Sequence, residues 1–217
     1  DILPEHNAGI YAVPQILTNS AADFLRIEKD LGAFGYRELN INLGCPSGTV
    51  VSKGRGAGFL ASPEKLDQFL EEIFSKTEAK ISLKTRIGME EPEEFFRLLE
   101  IYNKYPLEEL IIHPRVQKDF YKNTPDLQAF ARAADISRIP VCYNGDIFSV
   151  EDYERFTERF PGTDRVMTGR GVLKDPSLAR KLRGGRGADK EELRRFHDIL
   201  YAGYCEEMSG DRTILYK

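Results

Sequence analysis

KISLKTRIG, residues 80–88, decides how the rest of the chain is read. Alternation sends Ser82, Lys84 and Arg86 to one side of a strand and Ile81, Leu83 and Thr85 to the other. On an antiparallel edge the charged side faces water. In a parallel sheet closed into a barrel it faces inward, where charges need an anionic partner. The elements on either side choose between these.

Outward from this run, five more strand candidates follow one pattern: residues 11–17 (YAVPQIL), 38–42 (ELNIN), 110–113 (LIIH), 140–144 (PVCYN) and 165–169 (RVMTG). Amphipathic helices are predicted between them over residues 22–31, 63–76, 92–104, 125–134 and 150–160. Ser62-Pro63, Thr124-Pro125 and Ser149 supply the expected starts. Strict strand–helix alternation means a parallel sheet, either doubly wound or a (β/α)8 barrel. Each strand candidate ends in a residue that can bond or titrate: Gln15, Asn42, Lys84, His113, Asn144 and the Gly169-Arg170 pair. All strand ends converge on one face in a barrel, whereas only those beside the switch point meet a ligand in an open sheet. A (β/α)8 TIM-type barrel is therefore expected, with about six of its eight units present and two strands expected ahead of the first residues.

After Gly171 the pattern changes to a short helix over residues 176–182, a Gly/Arg linker over 184–189, and a charged helix from Lys190 to about Met208 that breaks near SGD. The expected division is a barrel domain over residues 1–183 and the start of a small helical domain over 184–217. The chain reads as truncated at both ends.

The 217 residues, 41% hydrophobic and 30% charged, suit a soluble globular protein. No run approaches a membrane span and no signal peptide opens the chain, so a cytoplasmic protein without membrane contact is expected, as a monomer. Cys45, Cys142 and Cys205 are too few for a disulfide framework and lack metal-ligand spacing, so no metal is expected. A net charge of −4 means that any polyanionic partner must be held by a local patch.

NINLGCPSGTVVSKGRGAGFL, residues 40–60, places Cys45 between Gly44 and Pro46 just past a strand end. A free cysteine often packs as a small apolar group, but a thiol in a strand-to-loop turn can meet a substrate. The basic, glycine-rich stretch after it reads as a long flexible lid or binding loop. His113 ends an apolar run, where a lone histidine is more often a hydrogen-bonded structural group than a catalyst. Asn144-Gly145-Asp146 resembles a hairpin turn, yet a helix follows, which favours backbone N–H groups presented to a ligand. The same holds for TGRG, residues 168–171, where Arg170 can pair with a phosphate. Together the two motifs are read as a phosphate cradle of the kind found at the last strands of barrels.

These segments, NINLGCPSGTVVSKGRGAG, ISLKTRIG, LIIHPR, PVCYNGDI and VMTGRGVLKDP, in this order, resemble the tRNA dihydrouridine synthases over residues 11–176. The resemblance implies an FMN-binding barrel followed by a helical domain, and reduction of the C5–C6 double bond of a uridine in tRNA with NADPH as electron source. It implies that Gln15, Lys84 and His113 contact the flavin. Asn144, Gly145, Asp146, Gly169 and Arg170 would hold its phosphate end. Asn42 would lie beside flavin and base, Cys45 would donate the proton, and Lys53 and Arg86 would hold the RNA or its uracil. A thiol is mostly protonated at neutral pH, which suits a proton donor, and the base must leave its stack to reach the flavin. Lys53, Arg55, Arg115, Lys118 and Lys122 follow strand ends as a candidate basic patch, or as ordinary solvated surface. The rivals are a dihydroorotate-dehydrogenase-like flavin barrel acting on a free pyrimidine, and a non-catalytic RNA-binding fragment.

Overall fold

The computed structural model describes residues 2–208. Its six strands are β1 (Gln15–Ile16), β2 (Glu38–Leu43), β3 (Lys80–Arg86), β4 (Glu109–His113), β5 (Val141–Tyr143) and β6 (Arg165–Val166). They form one sheet in the order β1-β2-β3-β4-β5-β6, parallel at every pairing. Each strand lies beside its predecessor and the order never reverses, so the sheet lacks the switch point of a doubly wound fold. It is the strand order of a partial (β/α)8 barrel, not closed among the described residues.

The helices are α1 (Ala21–Ala33), α2 (Gly48–Val51), α3 (Pro63–Phe74), α4 (Glu94–Tyr102), α5 (Leu127–Ile136), α6 (Val150–Arg159), α7 (Arg170–Lys174), α8 (Leu178–Leu182) and α9 (Lys190–Glu207). Local chemistry sets their starts. Ser20 accepts from the Asp23 N–H at the head of α1, and Asp189 from the Glu192 N–H at the head of α9. Helix α5 begins at Leu127, later than expected, because Asp126 caps it by accepting from the Gln128 and Ala129 N–H groups. Residues 209–211, read as the break after the last helix, lie outside the described residues.

Register places the core. Residues aligned across a parallel sheet share a face, so Leu39, Ile41, Leu43, Ile81, Leu83, Leu110 and Ile112 form one apolar face, all buried. Phe24, Leu66, Leu70, Phe95, Leu98, Leu99 and Phe130 are buried on the helices. Each such side chain contributes about 1.5–3 kcal/mol by leaving water. The opposite face carries Gln15, Asn40 and Ser82 in one row, and Asn42, Lys84, Ile111 and Cys142 in the next. Arg86 pairs with His113 in a further row. The predicted alternation of β3 is thus the division between core and polar face.

The described residues form two compact units, one of those up to Asp146 with Phe156–Thr168, the other of Ile147–Arg155 with those from Gly169 on. All six strands belong to the first. In the second, the guanidinium of Arg170 lies 5.3 Å from the Phe148 ring centroid and the Lys174 ammonium 5.9 Å from it.

The segment after Cys45 differs from the flexible lid expected. Helix α2 and a 3-10 helix over Gly56–Ala61 fold it down, and residues 56–60 are buried. Two of its glycines, Gly56 and Gly58, serve close packing. At Gly56 φ is +54°, and a Cβ would stand 2.9 Å from the Cβ and carbonyl oxygen of Cys45. Lys53 remains exposed, on a turn whose carbonyls accept from the Asn19 amide.

Candidate active site

The polar face brings most of the expected residues of the first unit together. Gln15 donates through Nε2 to Asn40 Oδ1 and accepts through Oε1 from Asn42 Nδ2, each at 2.7 Å. Asn40 donates onward to Ser82 Oγ at 2.9 Å. One run of hydrogen bonds therefore crosses β1, β2 and β3. The remaining end of Asn42, its Oδ1, accepts from the N–H groups of Gly44 and Cys45 at 3.0 Å each. This turn fixes the Cys45 backbone from one side. The Ala57 N–H fixes it from the other, donating to the Cys45 carbonyl at 3.0 Å. The half-buried thiol itself makes no hydrogen bond among the described residues.

Lys84 lies beside Asn42 in register and is mostly buried. Among the described residues it has neither a hydrogen bond nor an ion pair. Burial, then the neighbouring charge of Arg86, pushes its ammonium down from 10.5 to about 8. A buried cation without a counter-charge is costly, and an anionic or acceptor-rich ligand would remove that cost. Cys142, on the same face, is 4% exposed and its thiol is pushed up to about 12 by burial, with Glu109 adding to the effect. It belongs to the packed interior.

His113 is 7% exposed. Burial first, then the cations of Arg86, Lys84 and Arg115, push its imidazolium down to about 3, so the ring is neutral. Arg115 had been read as part of a basic surface patch, but it is 1% exposed and bound to protein. Its guanidinium meets both carboxylate oxygens of Asp146 and donates to His113 Nε2 at 3.0 Å. The resemblance implies that Arg86 holds the RNA or its uracil. Arg86 too is 1% exposed, with Nε donating to the Gly44 carbonyl and Nη1 to the Val116 carbonyl at 2.9 Å each, and Nη2 to the Phe120 carbonyl. Both arginines secure loops at the strand ends; buried without those acceptors, each would be strongly destabilising.

At the end of β5, Asn144 spends its N–H on the Ile112 carbonyl at 2.9 Å and its side-chain amide on the Met167 carbonyl at 2.8 Å. It ties β4, β5 and the end of β6 together. Gly145 admits no side chain, since a Cβ there would fall 1.9 Å from the Tyr143 hydroxyl. Gly169 and Arg170 open α7 in the second unit.

A family model described as Dihydrouridine synthase (Dus) matches residues 3–212. The chain belongs to the dihydrouridine synthase family. Among curated relatives, the tRNA-dihydrouridine(16) synthase of Pseudomonas putida is 29% identical over 76% of this chain and 52% of its own. That of Ralstonia nicotianae is 32% identical over 67% and 45%, and that of Escherichia coli K12 32% over 77% and 51%. The chain spans about half the length of the curated relatives it matches. Among solved structures, an O-succinylbenzoate synthase from Thermosynechococcus elongatus aligns with 83% of this chain and 48% of its own, at 14% identity and TM-score 0.49. That likeness is too weak to bear on the fold.

Beside His113 and Arg86 lies Tyr121, which the sequence reading did not single out. It is exposed, its ring centroid is 6.2 Å from that of His113, and the Arg86 guanidinium lies 5.5 Å from it. An adjacent Phe-Tyr pair in a polar loop after a strand end was the available signal. Among the described residues no group of three His, Cys, Asp or Glu could hold a metal ion, and no helix is long and apolar enough to cross a membrane.

Proposed function

We propose that this chain is the catalytic part of an FMN-dependent tRNA-dihydrouridine synthase, reducing the C5–C6 double bond of a uridine in tRNA with NADPH as electron source. Family membership supports the reaction class. The observation that carries the cofactor is Lys84, a mostly buried cation without a partner among the described residues, in a donor-rich setting. Around it lie the carboxamides of Gln15 and Asn42, the neutral imidazole of His113 and the Cys45 thiol. These groups fit a flat, acceptor-rich, anionic ligand. FMN would be held by Gln15, Lys84 and His113, and its phosphate by the backbone donors of Gly145 and Asp146. Asn144, whose N–H is engaged, would act by fixing the strand end.

A bound, reduced flavin would supply the hydride equivalent for the uracil double bond. The protein's own residues do the rest. Asn42 aligns the backbone of Cys45, and the Cys45 thiol gives its proton to C5 as general acid. Tyr121 offers the extruded base an aromatic surface. Lys53 supplies positive charge to the RNA backbone, and Arg86 holds the loop carrying Tyr121 rather than touching RNA. The proposed domain division is a barrel to residue 183 and the start of a helical tRNA-binding domain beyond it.

The test is the visible spectrum of the purified chain after addition of FMN and removal of the excess. The expected result is a retained flavin band in the wild type and in Cys45→Ala, with reduction of tRNA uridine lower in Cys45→Ala by a factor on the order of 10²–10⁴. A wild type that retains no flavin overturns the cofactor assignment. Equal reduction by Cys45→Ala overturns the role of the thiol.

A further inference from the structure

Asp146, Arg115 and His113 form a line of side-chain contacts, and the reaction scheme above gives its middle member, Arg115, no task. Arg115 holds the loop after β4 through Nε, which donates to the Lys122 carbonyl at 2.9 Å, and Nη2, which donates to the Asn123 carbonyl at 2.6 Å. Anchoring the loop needs no more than these. Yet Nη1 is directed at the His113 ring, 3.0 Å from Nε2, and at Asp146 Oδ1, also at 3.0 Å. Nη2 meets the other Asp146 oxygen, so the carboxylate grips the guanidinium at two points and fixes its plane.

We infer that Arg115, oriented by Asp146, is a positioning residue that fixes the tautomer of His113, with Nε2 as acceptor and the ring proton on Nδ1. The reason is the donor inventory. A guanidinium has only N–H donors and no acceptor, so the ring nitrogen it meets must offer a lone pair. A neutral imidazole carries one proton, which then sits on the other nitrogen. The charged groups facing His113 are Arg86, Lys84, Arg115 and Asp146, three cations to one carboxylate, and this balance opposes a second proton on the ring.

The consequence is a defined polarity at the strand end. The ring nitrogen that Arg115 does not engage carries a proton, so toward any further partner it is a hydrogen-bond donor and not an acceptor. This deepens the proposed function and rests on it only in taking that partner to be FMN. The tautomer itself is a property of the chain without ligand, so the two fail separately.

The experiment is a long-range proton–nitrogen correlation spectrum of the ¹⁵N-labelled chain without FMN at pH 7.5. The sequence has three histidines, and His113→Gln assigns the signal. The expected result is a protonated Nδ1 and an unprotonated Nε2 on His113, unchanged down to pH 5. In Arg115→Met, whose fold is checked by circular dichroism, the proton moves to Nε2 in at least half of the molecules and the ring titrates between pH 5 and 7. Asp146→Asn, which leaves Arg115 in place but loosens its orientation, gives a smaller movement in the same direction. A wild-type ring protonated on Nε2 overturns the inference without any variant. An unchanged Nδ1–H tautomer in folded Arg115→Met also overturns it, as does an unchanged spectrum in Asp146→Asn should Arg115→Met not fold. Failure of the same sample to retain FMN removes the flavin assignment and leaves the tautomer result standing.

Discussion

Replacing Lys84 by Met should make the protein more stable and end its capacity to hold FMN. The magnitude follows from the ammonium, which burial and the charge of Arg86 push down from 10.5 to about 8. The unfolded chain binds this proton more tightly than the folded one. Stability therefore falls as the pH drops from about 10.5 to about 8 and then stays at a constant deficit. Two and a half pH units at about 1.36 kcal/mol each set a ceiling of about 3.4 kcal/mol. Residual water contact lowers the expected gain to about 2 kcal/mol. Methionine keeps the length and removes the charge. The assay is urea unfolding followed by far-ultraviolet circular dichroism at pH 7.5 and pH 10.5, without and with FMN. Lys84→Met should exceed the wild type at pH 7.5 and match it at pH 10.5. With FMN at about a hundred times its Kd, the wild type should gain about 2.7 kcal/mol and the variant almost nothing. A variant less stable than the wild type at pH 7.5, or one that gains equally from FMN, refutes the reasoning.

His113 gives a pH dependence in the acid range. Its imidazolium is pushed down to about 3, so below about 6.5 the unfolded chain takes up a proton that the folded chain refuses, and stability falls with pH. Relative to His113→Gln, the wild type should lose about 2 kcal/mol between pH 7.5 and pH 5 in urea unfolding; parallel pH profiles would contradict the burial of a neutral ring. Gly56→Ala should destabilise by about 1–3 kcal/mol, since it places a side chain at φ +54° and a Cβ 2.9 Å from Cys45. Gly48→Ala, where a Cβ meets nothing within 4 Å, is the control, and equal stabilities of the two variants would remove the packing argument.

Much of this fold was legible because the chemistry of the strands is local. The alternation over residues 80–86 gave β3 its full length and both faces, and β2 and β4 came within a residue at one end. β1 and β6 were overread because each pairs on one side only, so little ladder exists to extend them. Pro14, which has no N–H to give, precedes the two residues of β1. The loop after Cys45 was misread because a glycine-rich string looks the same whether its glycines confer freedom or permit close contact; Gly56 does the latter. The burial of Arg86 and Arg115 was hidden for a similar reason. A sequence shows their charge, but not the carbonyls of Gly44, Val116, Phe120, Lys122 and Asn123 that satisfy it.

Those carbonyls have a consequence for how the loop after β4 can change. Arg86 and Arg115 grip main-chain oxygens, which every amino acid possesses, so the anchoring does not depend on which side chains the loop carries. Phe120 and Asn123, held at φ 52° and 59°, restrict the choice at their own positions. At Tyr121, which is exposed, the residue can be exchanged while these main-chain bonds are retained. The polar face thus has at Tyr121 a variable point on a fixed main-chain path, and under the proposed function an altered preference for the base is to be sought by varying that residue alone.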